Sequence, residues 1–214
     1  MKLIKTNYYK HKGIENTARE IINNCGRRVR EIPMNNPALL VLDMQDYFIS
    51  DKSHAWVPSA EAVIPRINKL TDYFEKDGYP VIFTKHVNSD DNAGMMGIWW
   101  QERMYANHPL INIDERVHTG NHKIIEKSQY DAFYETELED YLKNINIDTL
   151  IFTGVMTNLC CETTLRSAFC RGFNCIFPAD TTATINLELH QSTFRNLAHG
   201  FAHIVMSREL MNDE

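Results

Sequence analysis

The run Thr149-Leu150-Ile151-Phe152-Thr153-Gly154 (TLIFTG, 149–154) leads through Val155-Met156-Thr157-Asn158-Leu159 to Cys160, and its reading decides the fold. A short, mostly apolar run closed by glycine reads as a strand. Asn158 to Arg171 reads as a helix stopped by Gly172, and Cys175-Ile176-Phe177 as a further strand ending at Asp180. Strand, helix, strand is a crossover unit, which pairs its strands in parallel.

The same alternation extends outward. Ala38-Leu39-Leu40-Val41-Leu42 is a continuous apolar run between Pro37 and Asp43, which fits a strand buried on both faces. Ser59 to Asp77 has helical spacing at Val63, Ile64, Ile67, Leu70, Tyr73 and Phe74, with Ser59 as N-cap and Gly78 as stop. Pro80 to Thr84 is a strand, Ile124-Ile125 a short strand ending near Lys127, Glu135 to Asn144 a helix, Leu187 to Ala198 a helix, and His203 to Met206 a strand. Six strands in this order predict a single three-layer α/β domain with a mostly parallel sheet and helices on both faces. Residues 37–214 form that domain. Residues 1–36 are polar and mixed, with a helical stretch at Asn16 to Ile22; apolar Ile21, Ile22 and Val29 suit an arm lying on the domain or on a neighbouring subunit. Residues 87–121 lack a period, and connections this long are uncommon unless functional.

Composition narrows the function. The chain has 214 residues and a formal net charge of −6, from 28 acids against 22 bases, which argues against nucleic acid or an anionic membrane as partner. No apolar run approaches the ~20 residues of a spanning helix. Five cysteines, an odd count with no C-x-x-C, fit a reduced, cytoplasmic chain.

In parallel α/β sheets, ligands bind at the carboxyl ends of the strands. Asp43, Lys127 and Cys160 all fall at that edge. A cysteine in the first turn of a helix meets unpaired N–H groups and the positive dipole end, which favour the thiolate and can hold an oxyanion. The alternative is a buried small hydrophobe, the role expected of Cys161, Cys170 and Cys175. Asp43 is a cap or a general base. Lys127 points inward or outward according to the pleat. His86 follows the second strand, lining a pocket or lying on the surface, and His54 is also near the rim. Trp99, Trp100, Tyr130 and Phe133 are pocket wall or core, with Trp100 better suited to core or subunit contact. Thr157 and Asn158 flank Cys160 and are placed to orient a substrate carbonyl. The pairs His118/His122 and His199/His203 are each broken by glycine, so no metal site is expected there.

The segments LLVLDMQDYF, EKSQYDAF and TGVMTNLCCETT, in this order and spacing, resemble the isochorismatase-like cysteine hydrolase superfamily, from about Pro37 to Leu210. The resemblance implies a six-stranded sheet of order 3-2-1-4-5-6 and an Asp43–Lys127–Cys160 triad. It also implies a cis peptide at Val155–Met156 and an oxyanion hole from the N–H groups of Met156 and Cys160. Isochorismatases in this superfamily have a small residue where this chain has Cys160. Nicotinamidases add a metal bound through an Asp-x-His motif after strand two, which Thr84-Lys85-His86-Val87-Asn88 lacks. The resemblance therefore implies a cysteine amidohydrolase of a small amide, carbamoyl or ureido compound, without cofactor or metal, and commonly a homo-oligomer. Isochorismatase-type ether hydrolysis and a non-catalytic binding role are the alternatives.

Overall fold

The computed structural model describes residues 4–28 and 31–211. Its centre is a parallel pair, β1 (Pro37–Leu42) and β4 (Thr149–Val155), with every residue of both strands buried. Burial on both faces explains why these segments read as continuous apolar runs rather than alternations. β2 (Val81–His86) and β3 (Lys123–Lys127) extend the sheet on one side. β5 (Asn174–Pro178) and β7 (His203–Val205) extend it on the other. The order is β3-β2-β1-β4-β5-β7. A seventh strand, β6 (Thr182–Ala183), pairs with the end of β4 and corrects the expected count of six. Two residues are too few to leave a periodic signal.

The helices α1 (Ile14–Asn24), α2 (Asp46–Ile49), α3 (Ala60–Lys76), α4 (Gly94–Trp99), α5 (Leu138–Asn144), α6 (Glu162–Cys170) and α7 (Leu187–Gly200) complete the layers. α3 buries Val63, Ile64, Ile67, Leu70 and Phe74 as its spacing predicts. Ser59 does not cap it. The Ser59 hydroxyl instead accepts the N–H groups of Tyr8 and Tyr9, at 3.0 and 3.1 Å. α5 starts later than expected. The helix after β4 is preceded by a π-helical turn, Thr157–Cys161. The long loop 87–121 contains α4, and Cys170 is exposed rather than buried.

The N-terminal stretch lies on its own chain. α1 buries Ile14, Ala18, Ile21 and Ile22, and Tyr9 is buried in the common core. The Thr6 N–H donates to the Ile185 carbonyl at 2.8 Å, and the Thr184 N–H to the Tyr8 hydroxyl at 2.9 Å. Val29 lies outside the described residues. No helix among the described residues is long and apolar enough to cross a membrane.

Gly154 brings the two central strands together at the functional edge. Its φ is +105°, and it sits in register with Leu42. A Cβ there would overlap the Leu42 carbonyl oxygen and lie 2.7 Å from the Leu42 nitrogen. Only glycine permits this approach. It sets the end of β1, and so Asp43, beside the loop that carries Cys160.

Candidate active site

Three side chains from three elements meet at the carboxyl edge of the sheet. Asp43 follows β1 with φ +50°, a left-handed conformation that turns the chain sharply as it leaves the sheet. Lys127 ends β3. Lys127 shares the inner face of that edge strand with Ile125, while Ile124 is exposed, so the pleat sends the lysine inward. Cys160 comes from the π-helical turn after β4. Lys127 Nζ lies 2.7 Å from Asp43 Oδ2 and donates to Cys160 Sγ at 3.5 Å. The Gln129 carbonyl takes another Lys127 proton at 2.9 Å. The Thr84 hydroxyl donates to Asp43 Oδ1 at 2.6 Å and accepts the Asp43 N–H at 3.2 Å. All three side chains are buried.

The charges follow from this contact. Burial pushes the Asp43 carboxyl up, but Lys127, His86 and the hydrogen bonds from Cys160 and Lys127 outweigh it and hold Asp43 below the usual carboxylate range. Burial pulls Lys127 down, and the Asp43 charge more than restores it, so the ammonium persists. Burial pushes the Cys160 thiol up to about 12; Lys127 opposes this and Asp43 adds to it. Burial therefore works against the thiolate that a helix end was expected to favour.

A cavity of about 410 Å³ opens above Cys160, with mostly apolar walls. His86, Trp99, Tyr130, Met156, Asn158 and Cys160 line it. Two expected residues do not. Phe133 stacks on Phe173 with ring centroids 5.9 Å apart and lies under the Arg171 guanidinium, so it belongs to the core. Thr157 points beneath the turn, bonding His190 Nδ1 at 2.8 Å and Thr182 Oγ1 at 3.0 Å. Conversely, Trp100 lines the cavity, and its indole N–H donates to the Tyr130 hydroxyl at 2.7 Å. Lys5, Tyr47, Phe48, Met96, Glu102 and Met104 also reach the cavity and carried no sequence signal for it. Thr84, which bonds Asp43 without lining the cavity, was not singled out either. The Val155–Met156 peptide is cis. Among the described residues, no group of three or more His, Cys, Asp or Glu side chains is arranged to hold a metal ion.

A thiol, an ammonium and a carboxylate buried together beneath a cavity at a parallel sheet's carboxyl edge define a cysteine-hydrolase type of α/β protein. Residues 37–209 match the isochorismatase domain family, and the chain belongs to that family of hydrolases. It is 39% identical over 173 residues to Nicotinamidase 3 of Arabidopsis thaliana, covering 78% of this chain and 83% of that protein. It is 31% identical over 170 residues to N-carbamoylsarcosine amidase of Arthrobacter sp, covering 75% of this chain and 64% of the relative. Enterobactin synthase component B of Escherichia coli K12 is 30% identical over 177 residues, covering 81% of this chain and 62% of the relative. The chain thus spans less than two thirds of the last two relatives. In structure it resembles a cysteine hydrolase from Pseudomonas syringae, with TM-score 0.82, 23% identity and coverage of 86% of this chain and 95% of that one.

Proposed function

We propose that this protein is a cysteine amidohydrolase that cleaves the C–N bond of a small amide, carbamoyl or ureido compound through a thioester. The observation that carries the reading is the contact of Cys160 Sγ with Lys127 Nζ at 3.5 Å, with Asp43 bonded to the same ammonium at 2.7 Å. A thiol with a high pKa needs a base at the moment of attack, and Asp43 is an ionised acceptor beside it. Asp43 takes the Cys160 proton as sulfur bonds to the carbonyl carbon. The N–H groups of Met156 and Cys160 receive the oxyanion, an interaction often worth ~3 kcal/mol per donor. The C–N bond then breaks, and Asp43 returns the proton to the leaving nitrogen. Water next attacks the thioester, giving its proton to Asp43, and the acid leaves as Cys160 regains its hydrogen. Lys127 holds carboxylate and sulfur in place throughout.

Relatives named as a nicotinamidase and a carbamoyl amidase support this reading at the level of reaction class. Vinyl ether hydrolysis needs a proton donor but no nucleophile, so Cys160 would serve no step in it. Five free thiols suit a reducing cytoplasm, and the exposed apolar face of α4 suits a homo-oligomer. The test is a side-by-side assay of nicotinamide, benzamide, N-carbamoylsarcosine and isochorismate with wild type and Cys160→Ala. Ammonia release from an amide by wild type alone is expected. Isochorismate turnover that survives Cys160→Ala, with no amide cleaved, would refute the reading.

A further inference from the structure

The turn that carries Cys160 is held by the N-terminal stretch. Residues 4–9 precede the matched family domain, which begins at residue 37. They are nonetheless tied to the elements around the cavity. The Thr6 N–H donates to the Ile185 carbonyl at 2.8 Å, and Asn186 Nδ2 to the Ile4 carbonyl at 3.2 Å. The Ser59 hydroxyl accepts the N–H groups of both Tyr8 and Tyr9, which fixes the two tyrosines at the start of α3. The Tyr8 hydroxyl accepts the Thr184 N–H at 2.9 Å, and the Thr184 hydroxyl donates to Asn158 Oδ1 at 2.5 Å. Tyr9 reaches Thr157, the residue before Asn158, through His190.

The protons along that line follow from counting donors. The Tyr9 hydroxyl gives its one proton to the Ala179 carbonyl at 2.7 Å. It also lies 3.0 Å from His190 Nε2, so Nε2 carries the imidazole proton and donates to the Tyr9 oxygen. Burial pulls the ring down to about 3, so the imidazole is neutral and its Nδ1 is an acceptor. His190 Nδ1 therefore accepts the Thr157 hydroxyl proton at 2.8 Å, and the Thr182 hydroxyl donates to Thr157 Oγ1 at 3.0 Å. Tyr9, His190 and Thr157 are 1%, 0% and 0% exposed, so these bonds are made away from solvent. Thr157 opens the π-helical turn that ends in Cys160 and Cys161. A single π turn is a rare local geometry, and a side-chain anchor at its first residue sets where the rest of the turn stands.

We propose that Tyr9, acting through His190 and Thr157, is a positioning residue for Cys160, so that a segment outside the family domain completes the catalytic apparatus. This rests on Cys160 being the nucleophile of the amidohydrolase reading. Cys160 Sγ has to stay beside Lys127 Nζ and Asp43 as its proton leaves, and a misplacement of about 1 Å costs about 10²-fold in rate. Tyr9, His190 and Thr157 do not line the cavity, so loss of this relay falls on kcat and leaves KM in place.

The test is a double-variant cycle on nicotinamide, benzamide and N-carbamoylsarcosine, run beside iodoacetamide alkylation of the free enzyme read cysteine by cysteine. Tyr9→Phe and Thr157→Val should each lower kcat about tenfold, with KM within about twofold of wild type. The double variant should also lose about tenfold, because both changes break one line of bonds; an additive loss of about a hundredfold would overturn the relay. Thr157→Ser keeps the hydroxyl and should stay within about threefold of wild type. The alkylation rate constant of Cys160 should fall in step with kcat. Exposed Cys170 should react as in wild type, and buried Cys161 and Cys175 should stay unlabelled, the sign of an intact fold. An unchanged Cys160 rate in Tyr9→Phe with the fold intact would overturn the proposal. If wild type cleaves none of the three amides, the amidohydrolase reading falls, and the alkylation cycle still decides the relay. A measurement independent of how the variants fold uses wild type labelled with ¹⁵N-histidine. His190 should show the neutral tautomer protonated at Nε2, and the opposite tautomer would overturn the relay.

Discussion

The floor of the cavity and its rim are built differently. The floor comes from β1, β3 and the turn after β4, and its Asp43, Lys127 and Cys160 are 0%, 2% and 5% exposed. Each of these side chains is held by strands or by hydrogen bonds to neighbours that are themselves buried. The rim comes from the N-terminal stretch, the loop after β2 and the short helix α4, where Met95, Ile98 and Trp99 are 65%, 66% and 73% exposed. Polar contacts tie the rim together: Lys5 donates to the carbonyls of His54 and Trp56 at 2.5 and 2.7 Å, and Glu102 pairs with His54 at 2.5 Å. On the proposed amidohydrolase reading, chemistry falls to the rigid sheet edge and substrate contact to the rim, the usual division where loops are carried on a fixed scaffold.

The sharpest test of that division is at Asp43. Asp43→Asn removes the proton acceptor and should lower kcat by about 10³-fold, the range of a lost general base. A loss confined to KM would break the contrast. Next is the close approach that builds the floor. Gly154→Ala places a methyl group against the Leu42 backbone at a φ unfavourable to alanine, and should cost about 3 kcal/mol of stability in urea unfolding.

Acid should weaken the buried histidines' surroundings. Burial, first, depresses His86 to about 4 and His190 to about 3. In the unfolded chain both titrate near 6.5. Their stability contribution is full above that value and is lost as pH falls toward the folded values, because the unfolded chain then binds protons the folded one refuses. The expected slope is roughly 1.4 kcal/mol per pH unit for each histidine below about pH 6. Removing one of them with His190→Gln should flatten it, and an identical slope in that variant would contradict this account. The smallest effect belongs to the rim: Trp99→Ala should remove about 1 kcal/mol of substrate binding, roughly fivefold in KM, with kcat nearly constant.

The floor was legible because its residues sit where apolar runs stop. Asp43 ends ALLVL, Lys127 follows Ile124-Ile125, and Cys160 follows TLIFTG. The inward turn of Lys127 was not legible, since parity depends on which face of an edge strand is covered. Asn158 and Thr157 are adjacent in sequence yet diverge, because successive residues of a helical turn point in different directions. Asn158 reaches the cavity while Thr157 bonds His190 below it. Phe133 was a candidate for the pocket wall as an aromatic, but packing on Phe173 claims it. Lys5 had no signal, and Trp100 was read toward core or subunit contact: their positions depend on where an N-terminal segment and a long loop settle, and that is a matter of tertiary contact.

The central claim is covalent attack by Cys160. It is tested most directly by acid-quenching wild type during turnover of a cleaved amide, digesting it and measuring the masses of its cysteine peptides. The account predicts an acyl group on the peptide containing Cys160 and Cys161, present in Cys161→Ala and gone in Cys160→Ala. Full turnover by Cys160→Ala, with no acyl-enzyme trapped in wild type, would contradict it.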